Sequence, residues 1–480
     1  AIVRAFMAHH QGMTLVAIAD TLLGGIMRTR FHAEPMVQAT ELLLQERTPR
    51  DVAVVRPWAT EVHSAARVRE LEPASARRFA SAEQQTPATH LMSNGRYATM
   101  VTTAGSGYSR WNGFAVTRWR EDATCDDLGS YLFVRDVRSG QVWSAGMQPS
   151  GTTPDDYHVA FHEDRAEFSR HDGTLETTLD VLVSAEDDAE VRRVSFFNSG
   201  HRVRELEVTS YAELVLAPQA ADVAHPAFSK LFVQTEYLPD IGALLATRRK
   251  RSPGEADIWG AHFSVLDGEA VGRVEVETDR ARFLGRGRGL RTPLAVMDGR
   301  TLSNTVGTVL DPVFALRRRI RIEPGAVARI AFWTMAASTR AAVLDGIDRH
   351  RDTHAYARAA TLAWTQAQVE LHHLGISAGD AALFQQVAGY ALYTAPTLRP
   401  ASASILQGAG PQSGLWAHGI SGDLPIVLLR ISDMADIDIA HQLLKAQEYW
   451  RLKQFAVDLV ILNERQSSYV QDLQSALETL

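Results

Sequence analysis

The chain lacks most of the features that assign a protein to a class at once. Among its 480 residues there is one cysteine, Cys125, so an internal disulfide and a cysteine-based metal cluster are excluded. No stretch approaches the ~18 uninterrupted apolar residues that a membrane-spanning helix needs. The net charge is −7 and the basic runs at 248–251 and 317–321 are short, so there is no electrostatic footprint for nucleic acid. These absences predict a soluble globular chain.

The first ninety residues contain two kinds of pattern. Residues 1–47 carry apolar side chains at helical spacing, which predicts two or three helices. From 48 to 90 this periodicity is lost and four prolines punctuate a polar stretch, which predicts a connector lying over the surface. The chain opens inside a helical pattern without an initiator methionine and stops inside another. We therefore expect it to be a piece of a longer protein.

The middle of the chain changes to a period of two. Apolar and polar residues alternate over 175–184, 190–198 and 204–216, and the basic run at 317–321 reads as the solvated face of a strand. Strand patterns without intervening helices predict one mostly antiparallel domain of stacked sheets over 91–338.

Near residue 339 the period returns to 3.6. A helical linker is expected over 339–400, followed by the first part of a helical domain over 401–480. Within these segments, helices are predicted at 379–392 and 437–462.

Aromatic and basic residues are concentrated at the start of the predicted sheet domain, over 93–122. Tyr108 and Trp111 offer ring faces on which sugars can stack, and Arg118 offers a guanidinium for hydroxyl or phosphate oxygens. The alternative is a strand corner bent by glycines, with the aromatic side chains in the core. The residues alone leave both interpretations open.

The segment GLWAHGISGDLPI at 414–426 interrupts a helical region with three glycines and a proline. These residues let the chain turn sharply and present Trp416, His418, Ser421 and Asp423 together. A binding surface and a structural corner both use this chemistry. The corner is favoured, with Ser421 and Asp423 satisfying local backbone groups.

Three shorter patterns are weaker indications of a ligand. Adjacent His9 and His10 point to different sides of a helix and have no third ligand nearby, so zinc binding is not expected. Gly105 and Gly107 do not form a phosphate-binding loop, because a strand follows them. The Gly-Arg-Gly-Arg-Gly run at 285–289 is either a solvated turn, which is favoured, or a ligand-contacting loop.

Several long motifs follow one another in the chain. They are NGRYATMVTTAGSGYSRWNGFAVTRWREDAT from residue 94, YLFVRD at 131–136 with VWSAGMQP at 142–149, FLGRGRGLRTP at 283–293, LDPVFALRRRIRIEPG at 310–325, SGLWAHGISGDLPIVLLRI at 413–431 and VDLVILNERQSSYVQDLQ at 457–474. They resemble the carbohydrate phosphorylases of glycoside hydrolase family 94, formerly glycosyltransferase family 36, and above all the C-terminal part of the cyclic β-1,2-glucan synthases. AFMAHHQGMTLVAIAD at 5–20 resembles the end of the glucoamylase-like (α/α)6 domain that precedes this module there.

The resemblance implies an α+β multidomain chain: a large antiparallel β-supersandwich, a helical linker and the beginning of an (α/α)6 toroid. It also implies inverting phosphorolysis of a β-linked glucan, with inorganic phosphate as co-substrate and neither metal nor other cofactor. Phosphate takes the place of the activated water of an inverting hydrolase, so one carboxylic acid suffices. The candidate substrate-binding residues are Tyr108, Trp111, Arg118, Gln148, Trp416, His418 and Asp423.

No catalytic acid can be assigned from the motifs. Asp423, Asp458 and Asp472 are available, but none stands in the sequence context of the family's acid. The resemblance places that acid beyond Leu480, so we expect this chain by itself to be inactive.

The resemblance also implies partners and a location. These are a β-glucan or gluco-oligosaccharide, phosphate, the remaining domains of a longer protein and a possible homodimer partner, on the cytoplasmic side of a bacterial inner membrane. The alternative function is a non-catalytic module that binds glucan or senses its length.

Overall fold

The computed structural model describes residues 8–35, 37, 76–393, 395–408, 410–465 and 472–480. The chain divides into two compact units, Ala1–Pro73 and Ala74–Leu480. In the first unit, helix α1 (Ala8–Leu22) is followed by α2 (Ile26–His32). The carboxylate of Asp20 accepts hydrogen bonds from the backbone N–H groups of Met27 and Arg28, both at 3.1 Å, and thereby fixes the turn between the helices. The helices expected elsewhere in 1–47 and the connector over 48–75 lie outside the described residues.

The second unit is built around two large antiparallel sheets. Their strands are β1 (Arg77–Phe79), β2 (Thr89–Ser93), β3 (Tyr97–Thr102), β4 (Gly107–Trp111), β5 (Phe114–Thr117), β6 (Tyr131–Asp136), β7 (Val142–Ser144), β8 (Asp156–Phe161), β9 (Arg165–Asp172), β10 (Leu175–Val183), β11 (Ala189–Asn198), β12 (Arg204–Pro218), β13 (Val233–Leu238), β14 (Ala243–Arg248), β15 (Trp259–Asp267), β16 (Glu269–Ala270), β17 (Glu275–Asp279), β18 (Pro312–Ile322) and β19 (Val327–Ala337).

One sheet has nine strands in the order β1-β8-β9-β10-β11-β19-β15-β14-β13. The other has ten, in the order β16-β18-β12-β5-β4-β3-β2, with β17 beside β18 and the pair β6-β7 beside β12. Four short helices lie among these strands: α3 (Gln219–Ala224), α4 (Pro226–Lys230), α5 (Arg280–Leu284) and α6 (Leu294–Met297). None of the described helices in this part is longer than six residues. The predicted sandwich is therefore confirmed.

The main core lies between the two sheets, and a second core covers the outer face of the nine-stranded sheet. Along β19, Ile330 and Phe332 belong to the core between the sheets, whereas Trp333 and Met335 belong to the outer core. Successive residues of a strand point to opposite faces, so a strand that is buried on both faces loses the apolar and polar alternation. Burial of such large side chains stabilises the fold by roughly 1.5–3 kcal/mol each.

Three longer helices follow the sheets: α7 (Arg340–His350), α8 (Ala355–Leu374) and α9 (Ala378–Leu392). Helix α7 begins at Thr339, whose Oγ1 accepts a hydrogen bond from the N–H of Ala342 at 3.1 Å. Helix α8 ends at Gly375, which has a φ of 58°, in the left-handed region that glycine adopts at little cost. Ser377 and Asp380 form a reciprocal capping box at the start of α9. These caps fix where the three helices begin and end.

The last part of the chain alternates short helices with two strands. It contains 3-10 turns at Pro396–Leu398, Gln412–His418 and Met434–Asp436, helices α10 (Ser402–Gln407), α11 (Ile437–Leu452) and α12 (Asp472–Thr479), and strands β20 (Ile426–Ile431) and β21 (Asp458–Asn463), which pair in parallel. The helix expected over 437–462 therefore ends early, and its C-terminal part is a strand. The run of β-branched and apolar residues in VDLVIL explains this outcome.

The N-terminal edge of the sandwich also differs from the prediction. The connector was expected to continue to residue 90 outside the sheets, but Arg77–Phe79 pairs with β8 as the edge strand β1. Three residues are too few to show a period of two, so the sequence gives no sign of this strand.

Helices α9 and α11 are joined to the ten-stranded sheet by a buried glutamine. Gln385 of α9 accepts a hydrogen bond from the N–H of Leu91 at 2.9 Å and donates one to the Leu91 carbonyl at 2.8 Å. Its amide also donates to the hydroxyl of Tyr449 on α11, at 2.9 Å. The side chain therefore pairs with β2 as a neighbouring strand would, and it fixes the helices against the sheet.

Candidate functional site

Tyr108 lies on β4 in a core shared by the sheet and the helices α8, α9 and α11. Only 2% of it is exposed, its ring meets the edge of Trp119 at 5.4 Å, and the guanidinium of Arg110 lies 4.1 Å from the ring centre. Burial raises the pKa of the Tyr108 hydroxyl. The phenol therefore contributes to packing between sheet and helices, and its faces are already occupied.

Trp111 ends the same strand but belongs to the core between the two sheets. It is 7% exposed, and its indole Nε1 donates a hydrogen bond of 2.7 Å to the carboxylate of Asp188. The carboxylate of Asp188 also accepts from Arg96 at 2.9 Å. A buried indole with a satisfied N–H is a structural anchor in the fold.

Arg118 is the centre of a buried ion-pair network and is 6% exposed. Its guanidinium donates two hydrogen bonds of 3.0 Å to Asp222 and one of 2.7 Å to Glu213. Burial alone would lower the pKa of Arg118, but the hydrogen-bonded Asp222 and Glu213 raise it above its ordinary value. Each of the three nitrogens of the Arg118 guanidinium thus donates a hydrogen bond within the protein.

The network extends to Arg280, which the sequence did not single out. Its Nε donates to the carboxylate of Glu213 at 2.5 Å. Burial would raise the pKa of Glu213, but the nearby Arg280 and Arg118 outweigh burial and lower it. Glu213 is therefore ionised and paired at neutral pH.

Gln148 is half-buried at the end of the VWSAGMQP motif. Its N–H donates to the carbonyl of Ala104 at 2.9 Å, and its own carbonyl lies 3.9 Å from where a Cβ on Gly105 would be. Gly105 has a φ of 98°, so glycine is favoured by the backbone conformation, while the contact with Gln148 is an ordinary van der Waals contact. The contacts assign Gln148 to the support of the 104–105 turn.

The structure does not bring the sheet-domain candidates together on one surface. Tyr108 and Trp111 belong to different cores and Arg118 to an ion-pair network, which agrees with the core alternative for this segment. Their role in substrate binding stays a prediction. Arg286 and Arg288, in the 285–289 run, are exposed, as expected for a solvated turn.

The second group of candidates lies on the exposed turn over 412–423. The amide of Gln412 donates to the carbonyl of Ser421 at 2.9 Å and to the carboxylate of Asp423 at 3.1 Å. The backbone N–H of Asp423 donates to the Ser421 hydroxyl at 3.1 Å, and the indole of Trp416 donates to the Ser421 carbonyl at 3.3 Å. These bonds are those of the structural corner that the sequence favoured.

The same corner also presents side chains to solvent. Trp416 is 65% exposed, and His418 and Asp423 are exposed beside it in the chain. An open indole face with polar groups nearby can stack on a sugar ring and bind its hydroxyls. The corner and binding-surface interpretations are compatible here. The hydrogen bonds involve the indole N–H of Trp416 and other polar groups, and they leave the face of the Trp416 ring open.

The three aspartates considered as catalytic acids lie in different settings. Asp423 and Asp472 are exposed, and Asp472 pairs with Arg465 at 2.9 Å. Asp458 is half-buried, and its Oδ2 has no hydrogen-bond partner among the described residues. None of them lies in the buried, apolar environment that turns a carboxyl group into a general acid at neutral pH.

The described residues form neither a metal-binding cluster nor a membrane-spanning helix. No group of three or more His, Cys, Asp or Glu side chains there is placed to hold a metal ion. Among the helices in that part of the chain, none combines the length and the apolar character needed to cross a bilayer.

The geometry agrees with the comparison to known families. Residues 73–353, more than half of the chain, match the model described as "Glycosyl hydrolase 94, supersandwich domain". The chain therefore belongs to glycoside hydrolase family 94. The match is wider than the sheet domain expected over 91–338, and it includes the edge strand β1.

Three relatives are informative. The cyclic beta-(1,2)-glucan synthase NdvB of Rhizobium meliloti (strain 1021) is 42% identical over all 480 residues, which is 17% of that protein. The N,N'-diacetylchitobiose phosphorylase of Vibrio proteolyticus is 26% identical over 51% of this chain and 30% of its own length. The solabiose phosphorylase of Paenibacillus borealis is 26% identical over 41% of this chain and 24% of its own. The chain thus spans less than a third of each relative.

Proposed function

We propose that this chain is part of a phosphorylase-like module that acts on β-1,2-glucan within a cyclic β-1,2-glucan synthase-like protein. The observation that carries the proposal is the 42% identity to NdvB along the entire chain, together with the family 94 supersandwich. The reaction is inverting phosphorolysis, in which phosphate attacks the anomeric carbon while a carboxylic acid protonates the leaving oxygen. Glucose 1-phosphate is the product. In this proposal the module works on the cytoplasmic side of a bacterial inner membrane.

In this proposal the exposed corner over 412–423 contacts the glucan. Trp416 provides the stacking face, and His418 and Asp423 bind sugar hydroxyls beside it. The described carboxylates from 412 to 480 are exposed, apart from the half-buried Asp458. We therefore assign binding to this segment and no acid. The 480-residue chain on its own should release no glucose 1-phosphate from β-1,2-gluco-oligosaccharides and phosphate.

A replacement experiment tests the proposal. An NdvB protein in which this chain replaces the matching segment should still produce cyclic β-1,2-glucan. A second chimera with Trp416→Ala should produce less of it, or produce a different range of ring sizes. Because NdvB is only 42% identical, the binding of β-1,2-gluco-oligosaccharides to the chain itself should be measured in parallel. Saturable binding of cello-oligosaccharides but not of β-1,2-linked ones would contradict the proposed linkage.

The alternative is a non-catalytic module that holds glucan or senses its length. The exposure of the described carboxylates over 412–480, apart from Asp458, favours it, because a binding surface needs no buried acid. The two functions differ in one result. If the full-length protein that contains this chain releases glucose 1-phosphate in proportion to the phosphate consumed, the non-catalytic alternative is excluded; if it binds β-1,2-glucan and releases none, the phosphorylase-like function is excluded.

A further inference from the structure

A cavity lies between the edge strand β1, the following segment 84–89 and the helix α9. It has a volume of about 450 Å³. Its polar lining side chains include Arg77, Gln84, Gln85, Thr89, Gln386 and Tyr390. Cavities of this size accommodate small molecules, and this one lies where two structural layers meet, as many ligand sites do.

Arg77 is half-buried in the wall of this cavity and is incompletely paired. Its Nη2 donates to the carbonyl of Thr89 at 2.7 Å and lies 3.2 Å from Nδ1 of His90. No carboxylate within the described residues forms an ion pair with it, and its Nε and Nη1 make no hydrogen bond there. Burial lowers the pKa of Arg77 to about 10, which still leaves it a cation at neutral pH. A half-buried guanidinium with free donors favours an anion in the cavity.

The surroundings of Arg77 strengthen this preference. Of the described residues that line the cavity, the charged ones are Arg77 and Arg78, both cations. His90 is fully buried behind Arg77, where burial, followed by the nearby Arg77, lowers its pKa and keeps it neutral. The hydroxyl of Thr89 is buried in the wall and has no hydrogen-bond partner among the described residues. Gly389 allows this close approach, because a Cβ there would lie 3.0 Å from the Thr89 hydroxyl.

Helix α9 contributes neutral polar groups to the same cavity. Gln386 and Tyr390 are four residues apart, so they lie on one face of the helix. The amide of Gln386 donates to the hydroxyl of Tyr390 at 3.1 Å, which leaves the phenolic proton and the Gln386 carbonyl oxygen free for a ligand. Phe79 and Pro87 add apolar surface. Donors, acceptors and apolar faces in this combination suit a sugar ring.

We propose that this cavity binds a phosphorylated monosaccharide, a hexose phosphate, with its phosphoryl group on Arg77 and its ring against Gln386 and Tyr390. A neutral sugar would leave the free donors of Arg77 unpaired, and an inorganic anion would leave the groups of α9 unused. The cavity shares no lining residue with the corner over 412–423. Binding there can be measured without glucan, so the inference does not depend on the proposed phosphorolysis.

Calorimetric titration of the 480-residue chain with glucose 1-phosphate tests the proposal. Saturable binding of one equivalent is expected, and methyl glucoside should bind at least about tenfold more weakly, because it lacks the charge-assisted bonds. Arg77→Gln should weaken glucose 1-phosphate binding by a similar factor. The matched control is Arg273→Gln, which replaces an exposed arginine outside the cavity and should bind as the unaltered chain does.

A second variant protects the test against misfolding of Arg77→Gln. Gln386 and Tyr390 are exposed, so the double change Gln386→Ala and Tyr390→Phe should fold normally and weaken glucose 1-phosphate binding several-fold. Binding of inorganic phosphate should stay unchanged in that variant. Three results would each overturn the proposal: no saturable binding, equal affinity for glucose 1-phosphate and inorganic phosphate, or unaltered affinity in both variants.

Discussion

Strands in the sandwich and strands in the C-terminal part of the chain have similar sequences and opposite environments. In β3 and β6 nearly every residue is buried, because sheet or helix covers both faces. In β20, the residues from Ile426 to Arg430 alternate between exposed and half-buried, and only the last residue, Ile431, is buried. The candidate binding residues follow this division: Trp111 is enclosed, whereas Trp416 is open. Residue type therefore suggests sugar binding, but burial decides which residue is free to do it.

Replacement of Arg118 gives the strongest test of whether the enclosed candidate residues are structural. Arg118→Met should lower the free energy of unfolding by about 3–5 kcal/mol, because it removes the two hydrogen bonds that Arg118 donates to the buried carboxylate of Asp222 and leaves Glu213 with Arg280 alone. Thermal or urea unfolding measures the loss. The control is Arg120→Met, two residues further on and exposed, which should change stability little. An unchanged melting temperature combined with weaker glucan binding would restore Arg118 as a cleft residue.

A smaller loss is expected where the sandwich joins the helices. Gln385→Leu should cost about 3 kcal/mol, because it leaves the backbone groups of Leu91 and the hydroxyl of Tyr449 unpaired in a buried region. Chemical denaturation gives the value. Gln407→Leu, at an exposed position of α10, is the comparison and should stay within ~0.5 kcal/mol. A similar small change in both variants would mean that water replaces the Gln385 bonds.

The sandwich should also respond to acid through His262. This side chain is buried between the hydroxyls of Ser210, at 2.7 Å, and Thr334, at 3.0 Å, and burial lowers its pKa to about 4. Because the folded pKa lies below the unfolded value of ~6.5, the neutral form stabilises the fold above pH 6.5, and this contribution is lost as the pH falls towards 4. The loss amounts to about 3 kcal/mol.

Paired unfolding experiments isolate this contribution. The difference in unfolding free energy between the unaltered chain and His262→Gln should shrink by about 3 kcal/mol between pH 7 and pH 4. A difference that stays constant over this range would contradict the pKa of His262 as the cause.

The contrast between the sandwich and the C-terminal part of the chain also explains which features of the fold the sequence could predict. The strands of the sandwich were predictable because their periods of two are long. The run at 317–321 was read as a solvated face, but Arg317 is buried and donates to the carbonyl of Arg300 at 2.7 Å. A buried, paired arginine and a solvated one look the same in a sequence, because the partner is distant in the chain.

For site residues, the sequence failed in two ways. It suggested binding residues that are buried, and it gave no sign of residues that share a cavity. Tyr108, Trp111 and Arg118 come from a dense aromatic and basic segment, which is as typical of a core as of a sugar cleft. Arg77 lines the same cavity as Gln386 and Tyr390. It precedes these two residues by some 300 positions in the chain, so the three form no motif. The pairing of β1 with β8 is what places Arg77 there, and three residues carry no periodic signal.

The smallest effect on stability, and the most informative for function, is expected at Trp416. Trp416→Ala should change the free energy of unfolding by less than ~0.5 kcal/mol, because the side chain is 65% exposed and its one bond, to the Ser421 carbonyl, is long at 3.3 Å. Binding of β-1,2-gluco-oligosaccharides should nevertheless weaken several-fold, up to about tenfold, since an aromatic stacking contact is worth roughly 0.5–1.5 kcal/mol. Trp364→Ala, at an indole on α8 that is 53% exposed, is the matched control and should leave binding unaltered. Equal weakening in both variants would show that any exposed indole suffices, and unaltered binding in both would leave the corner over 412–423 as a structural turn alone.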